Sequence, residues 1–392
     1  MLEIFDRHID RSGTGSVKVD GLKEYFGNND LVPMWVADMD FPVPPCVTRA
    51  IRERANHPVF GYTLITPDFY DAVAGWLKTS HNWDVPAEWI VCSPGIVPAL
   101  SMSVMVYTDP GDKVLLQSPV YPPFFSSIED NKRITVVNQL KEIDGKYTID
   151  FADLEKKLSQ DVKMMFFCNP HNPVGRVWTK TEVQQVASLC RRYNVILISD
   201  EIHSDLIFPG HRHIPAAMAG TVNDNMVICM APSKTFNLAG LASAFLVIPD
   251  MELREKMKTL MANLHINHGN IFGLVALQAA YRGGREWLES LMKYLQENQE
   301  TVMNFFSKEL PVIRPLYSEG TYLVWLDCRK TGLNDLKLKR FFIKKAGVAM
   351  NPGSTFGPGG SGFFRMNIGC PRSTLLLALE KIKNTWEKDK SG

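Results

Sequence analysis

What this chain lacks first is charge of one sign. Its 43 lysines and arginines nearly balance 42 aspartates and glutamates, leaving a formal net charge of +1. So close a balance gives no electrostatic footprint for nucleic acid or for an anionic membrane surface. Long apolar runs are missing too: no stretch approaches the roughly 20 residues that a membrane-spanning helix needs. The opening MLEIFDRHIDRSGTGSVK mixes acids and bases without an apolar core, so a secretory signal is not expected. The seven cysteines are odd in number and scattered, and none form a CxxC pair. That argues against both a disulfide framework and a zinc knuckle. Cys168 and Cys229 lie within apolar runs and read as small buried hydrophobes. No internal repeat or extended low-complexity tract is found. The plain expectation is a soluble, cytoplasmic globular protein whose 392 residues allow one large domain and a smaller one.

What is present is alternation. KVLLQ (113–117), KMMFFC (163–168), NVILIS (194–199) and MVICMA (226–231) are continuous apolar runs of strand length. Unbroken hydrophobicity is the mark of strands covered on both faces. TKTEVQQVASLCRRY (179–193) reads as a helix between two of them, with a capping box at Thr179 and Glu182. Strand–helix–strand alternation predicts an α/β fold, a mostly parallel sheet wound by helices on both sides. From about residue 284 the pattern changes. A long amphipathic helix (285–310) leads to strands at 321–328 and 363–369 and a closing helix at 373–388. The expected division is a large domain over 46–283, with 1–45 and 284–392 forming a smaller α+β domain. GSTFGPGGSG (353–362) is expected to be a loop, too glycine-rich for a regular element.

Each apolar run of the sheet stops at a polar cluster: SPVY (118–121), NPHNPVG (169–175), DEIH (200–203) and SK (233–234). Ligands of open α/β sheets bind beyond the carboxyl ends of the strands, so these clusters outline one pocket. Lys234, in APSKTFNLAGL, directly follows an apolar run. An amine that must form an imine has to be partly desolvated so that its pKa falls; the plainer reading is an ordinary lysine at a strand end. Asp200 ends a buried strand, where a carboxylate is costly unless it meets a cation such as a protonated pyridine nitrogen. It could equally cap a following helix.

Asn172 and Gly175 sit in a proline-rich turn that would aim the Asn172 amide into the pocket. Tyr121, between prolines, could stack on a flat ring or simply be core. Gly95 opens an apolar helix over 95–107, whose first amides, with Ile96, suit a phosphate, as does the Ser233 hydroxyl. Arg365, between apolar neighbours in FFRMNIG, needs an anion. A substrate carboxylate fits its fork, and an internal salt bridge is the alternative.

Taken together, these motifs resemble the fold-type I pyridoxal-phosphate enzymes of the class I/II aminotransferase group, over nearly the whole chain. MWVADMDFPVPP (34–45), FGYTLITPDFYDAVAGW (60–76) and NPHNPVGRVW (169–178) are similar to the cystathionine β-lyase (C–S lyase) branch typified by MalY and PatB. The resemblance implies pyridoxal 5′-phosphate held as an imine on Lys234, with Asp200 at the pyridinium nitrogen, Asn172 at the phenolate oxygen and Tyr121 on the ring face. Arg365 would bind the substrate carboxylate, with Asn172 and Ala37 also beside the substrate. Tyr62 matches a tyrosine that reaches the cofactor phosphate of a neighbouring subunit, which implies a homodimer with shared sites.

Two positions depart from the aminotransferase pattern. Ala242 stands where many aminotransferases have a phosphate-binding arginine, which leaves Ser233, helix amides and Tyr62 for the phosphate. His203 stands where tyrosine is common, either near the phenolate or in a structural role. The expected reaction is α,β-elimination from cystathionine or a related cysteine S-conjugate to thiol, pyruvate and ammonia. An aminotransferase is the first alternative, and a regulatory protein-binding role a remote one.

Overall fold

The computed structural model describes residues 3–219 and 225–391. Seven strands form the larger sheet: β1 (Ile90–Ser93), β2 (Lys113–Ser118), β3 (Ile134–Gln139), β4 (Val162–Cys168), β5 (Ile196–Asp200), β6 (Met226–Met230) and β7 (Ala244–Val247). Their spatial order is β1-β7-β6-β5-β4-β2-β3. The pairs from β6 through β3 are parallel. Only β7 runs against both of its neighbours.

The central strands are covered on both faces, as their unbroken hydrophobicity requires: every residue of β6 is buried. The four apolar runs are all strands, with β5 extending one residue beyond the expected end to take in Asp200. Sequence reading missed β1, β3 and β7. Two of these have four residues, and β3 is an edge strand mostly exposed or half-buried, with no clean alternation to announce it.

Helix α1 (Ile96–Tyr107) follows β1, with Gly95 at its N-cap. Helix α2 (Lys180–Arg192) links β4 to β5 and carries the expected capping box. The Thr179 side chain accepts from the Glu182 amide, and the Glu182 carboxylate from the Thr179 amide. Val183, Val186, Ala187 and Cys190 form its buried face. Helix α3 (Arg285–Glu309) and the closing helix α4 (Arg372–Ser391) lie where expected.

A second, antiparallel sheet contains β8 (Arg314–Pro315), β9 (Leu323–Asp327), β10 (Asn351–Pro352) and β11 (Phe363–Asn367), in the order β8-β9-β11-β10. The N-terminal segment joins this part of the molecule. Val32–Pro33 pairs with Val348–Ala349, and Asn367 donates its amide to the Met34 carbonyl.

One local expectation fails. The stretch 353–362 is not all loop, because Gly353–Phe356 makes a turn of 3₁₀ helix. The Thr355 hydroxyl donates to the Pro352 carbonyl, and the buried Phe356 ring lies 4.9 Å from the Arg365 guanidinium. Apolar anchoring of Phe356 outweighs the entropy of the flanking glycines.

Candidate active site

Three parallel strands end level. Cys168 of β4 lies opposite Asp200 of β5, and Asp200 opposite Cys229 of β6. The chain therefore leaves the sheet at one rim in three neighbouring places, and side chains distant in sequence converge there. Lys234 rides on the helical turn Pro232–Thr235 just beyond β6, with proline at its first position. The turn 169–175 leaves β4, closed by bonds from the His171 amide to the Arg176 carbonyl and from the Gly175 amide to the His171 carbonyl. Gly175 has φ +71°, and a Cβ there would overlap Ser318, so only glycine fits.

A cavity of about 230 Å³ opens at this rim. Nine of the eleven residues expected at the site line it. Lys234, Asp200, Asn172 and Tyr121 form one group of these, with His203 and Ala37 beside them. Gly95, Ile96 and Ser233 make up the rest. The other two, Arg365 and Tyr62, do not line it, for different reasons. Arg365 is buried just behind, in the middle of β11 opposite Trp325 and Asn351. Tyr62 is fully exposed on this chain, at 103% relative accessibility, within an irregular segment.

The titratable groups are displaced from their ordinary values by burial. The Lys234 amine falls to about 8, mainly because it is desolvated and secondarily because the Arg365 charge opposes its own. It donates to the Ala37 carbonyl at 2.6 Å. This is not a solvated lysine at a strand end. The Asp200 carboxyl rises to about 7 through desolvation, opposed by the Ile202 amide and the Lys234 charge. The Ile202 amide donates to its Oδ1 at 3.1 Å, but a turn follows rather than a helix, so Asp200 is not a helix cap. His203 drops to about 3 through burial and is a neutral ring at ordinary pH; its Nδ1 has no partner.

Arg365 settles the choice left open by its sequence. It is 4% exposed, and no acid pairs with it among the described residues. Its guanidinium donates to Asn172 Oδ1 at 3.0 Å, to the Trp35 carbonyl at 3.0 Å and to Asn351 Oδ1 at 2.8 Å, while Nε has no partner. Arg365 is thus a buried cation with only neutral partners, pushed down to about 10 by desolvation, and its chemistry suits an anion. The bond to Asn172 Oδ1 also turns that amide so that its NH₂ is left for another acceptor.

Several supporting residues had no sequence signal. The Tyr322 hydroxyl shares the Ala37 carbonyl with Lys234, donating at 2.8 Å. Asn237 binds the 39–41 segment, accepting from the Met39 amide and donating to the carbonyls of Met39 and Phe41. Behind the lysine, the Thr235 hydroxyl donates to Asp205 at 2.8 Å, and Asp205 also meets His81 and Trp76. These assignments follow from tertiary approach.

The wound sheet with its buried lysine and acid at the strand ends defines a class. The family model for aminotransferase class I and II matches residues 29–382, and the chain belongs to that family. Among known proteins, it is 45% identical over 381 residues to cystathionine beta-lyase PatB of Bacillus subtilis, covering 97% of this chain and 98% of PatB. Protein MalY of Escherichia coli is 34% identical over 375 residues, 95% of each. Cystalysin from Treponema denticola, solved with a pyridoxal 5′-phosphate cofactor, matches with a TM-score of 0.94 at 36% identity, covering 98% of both chains. A pyridoxal-phosphate-bound C–S lyase from Staphylococcus hominis matches at 0.91 and 37%, covering 97% of both.

Proposed function

We infer that this chain is a pyridoxal 5′-phosphate-dependent carbon–sulfur β-lyase. It cleaves L-cystathionine or a related cysteine S-conjugate, with one water, into a thiol, pyruvate and ammonia. The observation that carries the reading is the trio of buried charges at one rim: an amine lowered to about 8, an acid raised to about 7 and an arginine without an acid. The residues fit the cofactor chemically. Asp200 feels the Lys234 charge but has no cation in salt-bridge contact among the described residues, and the Arg365 and His203 nitrogens without partners are buried polar atoms that a ligand can complete.

When bound, the cofactor supplies an electrophilic carbon for an amine and a ring that withdraws electrons from the substrate Cα. Asp200 would hold the ring nitrogen protonated, because an ion pair with that nitrogen removes the burial penalty that raises its pKa. Ser233 and the free first-turn amides of Ile96 and Val97 would hold the phosphate. Asn172 would offer its NH₂ to the phenolate oxygen, and Tyr121 would offer a face to the ring. Arg365 takes the substrate carboxylate in a fork, fixing which bond at Cα faces Lys234.

Lys234 then moves the proton. With a pKa near 8, a useful fraction of its amine is free base at neutral pH and can accept the Cα proton. The Cβ–S bond breaks as its electron pair leaves on sulfur, and the same amine returns a proton to the thiolate. The three-carbon remainder takes up water to give pyruvate and ammonia.

The chain is read here as a homodimer in which Tyr62 completes the phosphate site of its partner; the full exposure of that ring supports this. The division into domains at 46–283 and at 1–45 with 284–392 is supported by the two separate sheets. A cytoplasmic location fits the seven unpaired cysteines. Incubating purified chain with L-cystathionine and no keto acid tests the activity. Pyruvate and thiol in equal amounts are expected. Pyruvate that appears only after a keto acid is added would make the chain an aminotransferase instead.

A further inference from the structure

We propose that Asp205 is a positioning residue for Lys234: through the Thr235 hydroxyl it fixes the turn that carries the amine against the segment that carries Asp200. The inference rests on the reading of Lys234 as the group that moves the Cα proton. It gives a role to a buried carboxylate which that reading leaves unused.

The turn needs an anchor. Pro232–Thr235 is a single helical turn of four residues, closed by the Phe236 amide on the Pro232 carbonyl. So short a helix does not hold its own geometry. Among the described residues its side chains make two hydrogen bonds, from Lys234 to the Ala37 carbonyl and from Thr235 to Asp205 Oδ2 at 2.8 Å. An amine that leaves the Ala37 carbonyl to take a proton gives up the first bond. The second is then the side-chain bond that remains.

The anchor itself is rigid. The Asp205 side chain is 5% exposed, and its Oδ1 accepts from His81 Nε2 at 2.9 Å and from Trp76 Nε1 at 3.1 Å. Both donors stand on one helix, Pro67–His81. The Trp76 ring is stacked on Tyr281, with centroids 5.1 Å apart and 10° between the planes. Burial alone would raise the Asp205 carboxyl, but the bonds from His81, Thr235 and Trp76 outweigh it and hold it below its ordinary value. Hydrogen bonds rather than packing orient this carboxylate, because a cavity of about 220 Å³ opens beside it, lined also by His81, His213 and Arg285.

The same residue ties together two parts of the site. The ladder between β5 and β6 ends at the Glu201 amide, which donates to the Cys229 carbonyl. Past that point the Thr235–Asp205 bond links the two segments, five residues after Asp200 and one after Lys234. It therefore helps to set the spacing between the amine that moves the proton and the acid that faces the ring nitrogen. A displacement of about 1 Å at such a place costs up to roughly a hundredfold in rate.

Two substitutions separate positioning from packing. Thr235→Val keeps the shape and loses the hydroxyl, whereas Thr235→Ser keeps the hydroxyl and loses a methyl group. Each full chain, loaded with pyridoxal 5′-phosphate and normalised to bound cofactor, is assayed for pyruvate from L-cystathionine. The valine variant should lose roughly tenfold or more in kcat. Its KM should be unchanged, because Arg365 is untouched, and the serine variant should keep a kcat close to that of wild type. A valine variant with normal kcat, a KM that rises as kcat falls, or a serine variant as impaired as the valine one would each overturn the proposal. If the valine variant does not fold, Thr235→Ala is read in the same way; should neither fold, the bond is a staple of the fold and the proposal falls. Wild type that makes no pyruvate would overturn the lyase reading and this inference with it, whereas an active wild type beside an unimpaired valine variant would overturn the inference alone.

Discussion

Replacing Asp200 by asparagine should stabilise the empty protein and destabilise the loaded one. Without cofactor the carboxyl is fully buried, and desolvation outweighs the Ile202 amide and the Lys234 charge, which raises it from an ordinary 3.8 to about 7. That rise corresponds to at most about 4 kcal/mol of preference for the protonated acid. An acid whose pKa is higher in the folded than in the unfolded chain costs nothing below pH 3.8, where both states are protonated. The cost grows between pH 3.8 and about 7 and is complete above that. Asparagine keeps an oxygen for the Ile202 amide and removes the charge. At pH 8 the stripped Asp200→Asn chain should therefore melt higher than the stripped wild type, by about 5 °C at most for a chain of this length. Near pH 4 the two should coincide. With pyridoxal phosphate bound the order should reverse, because only a carboxylate can pair with a protonated ring nitrogen. Scanning calorimetry on stripped and loaded samples at several pH values measures all of this. A variant that melts lower than wild type when stripped at pH 8, or a difference that does not change with pH, would refute the reasoning.

Three more outcomes follow from the same geometry. Arg365→Ala should raise KM for cystathionine roughly a hundredfold with a smaller change in kcat, since it removes a buried, bidentate carboxylate receptor; steady-state kinetics would expose an unchanged KM. In the stripped chain, labelling of Lys234 by an amine-directed reagent should rise through about pH 8, and a rise only near the ordinary lysine value, read by peptide mass mapping, would contradict the burial argument. Mixing inactive Tyr62→Ala and Lys234→Ala chains should restore about a quarter of wild-type turnover through one intact site in each two-fold symmetric hybrid. No recovery after subunit exchange would show that Tyr62 serves no partner site.

The legible parts of this molecule were those in which one residue type must answer one physical demand. Short unbroken apolar runs ending in polar clusters suit doubly covered strands, so four strands of the larger sheet and the rim at their ends could be read directly, Asp200 and Lys234 among them. The capping box at Thr179 fixed the start of α2. Arg365 stood out because a guanidinium among apolar neighbours must find an acceptor, although only the fold revealed that its partners are neutral. What escaped were features set by approach in space. β1 and β7 are too short to carry a pattern, and β3 lies at an edge where both exposed and buried residues are tolerated. Tyr322 is unremarkable in sequence, and gains meaning only because the fold brings its hydroxyl to the Ala37 carbonyl.

Covalent mapping of the cofactor tests the central claim most directly. Borohydride reduction of the loaded protein, followed by proteolysis and mass mapping, should give one pyridoxyl-modified peptide with the added mass on the lysine of APSKTFNLAGL. The same mass on any other lysine, or on none, would contradict the account.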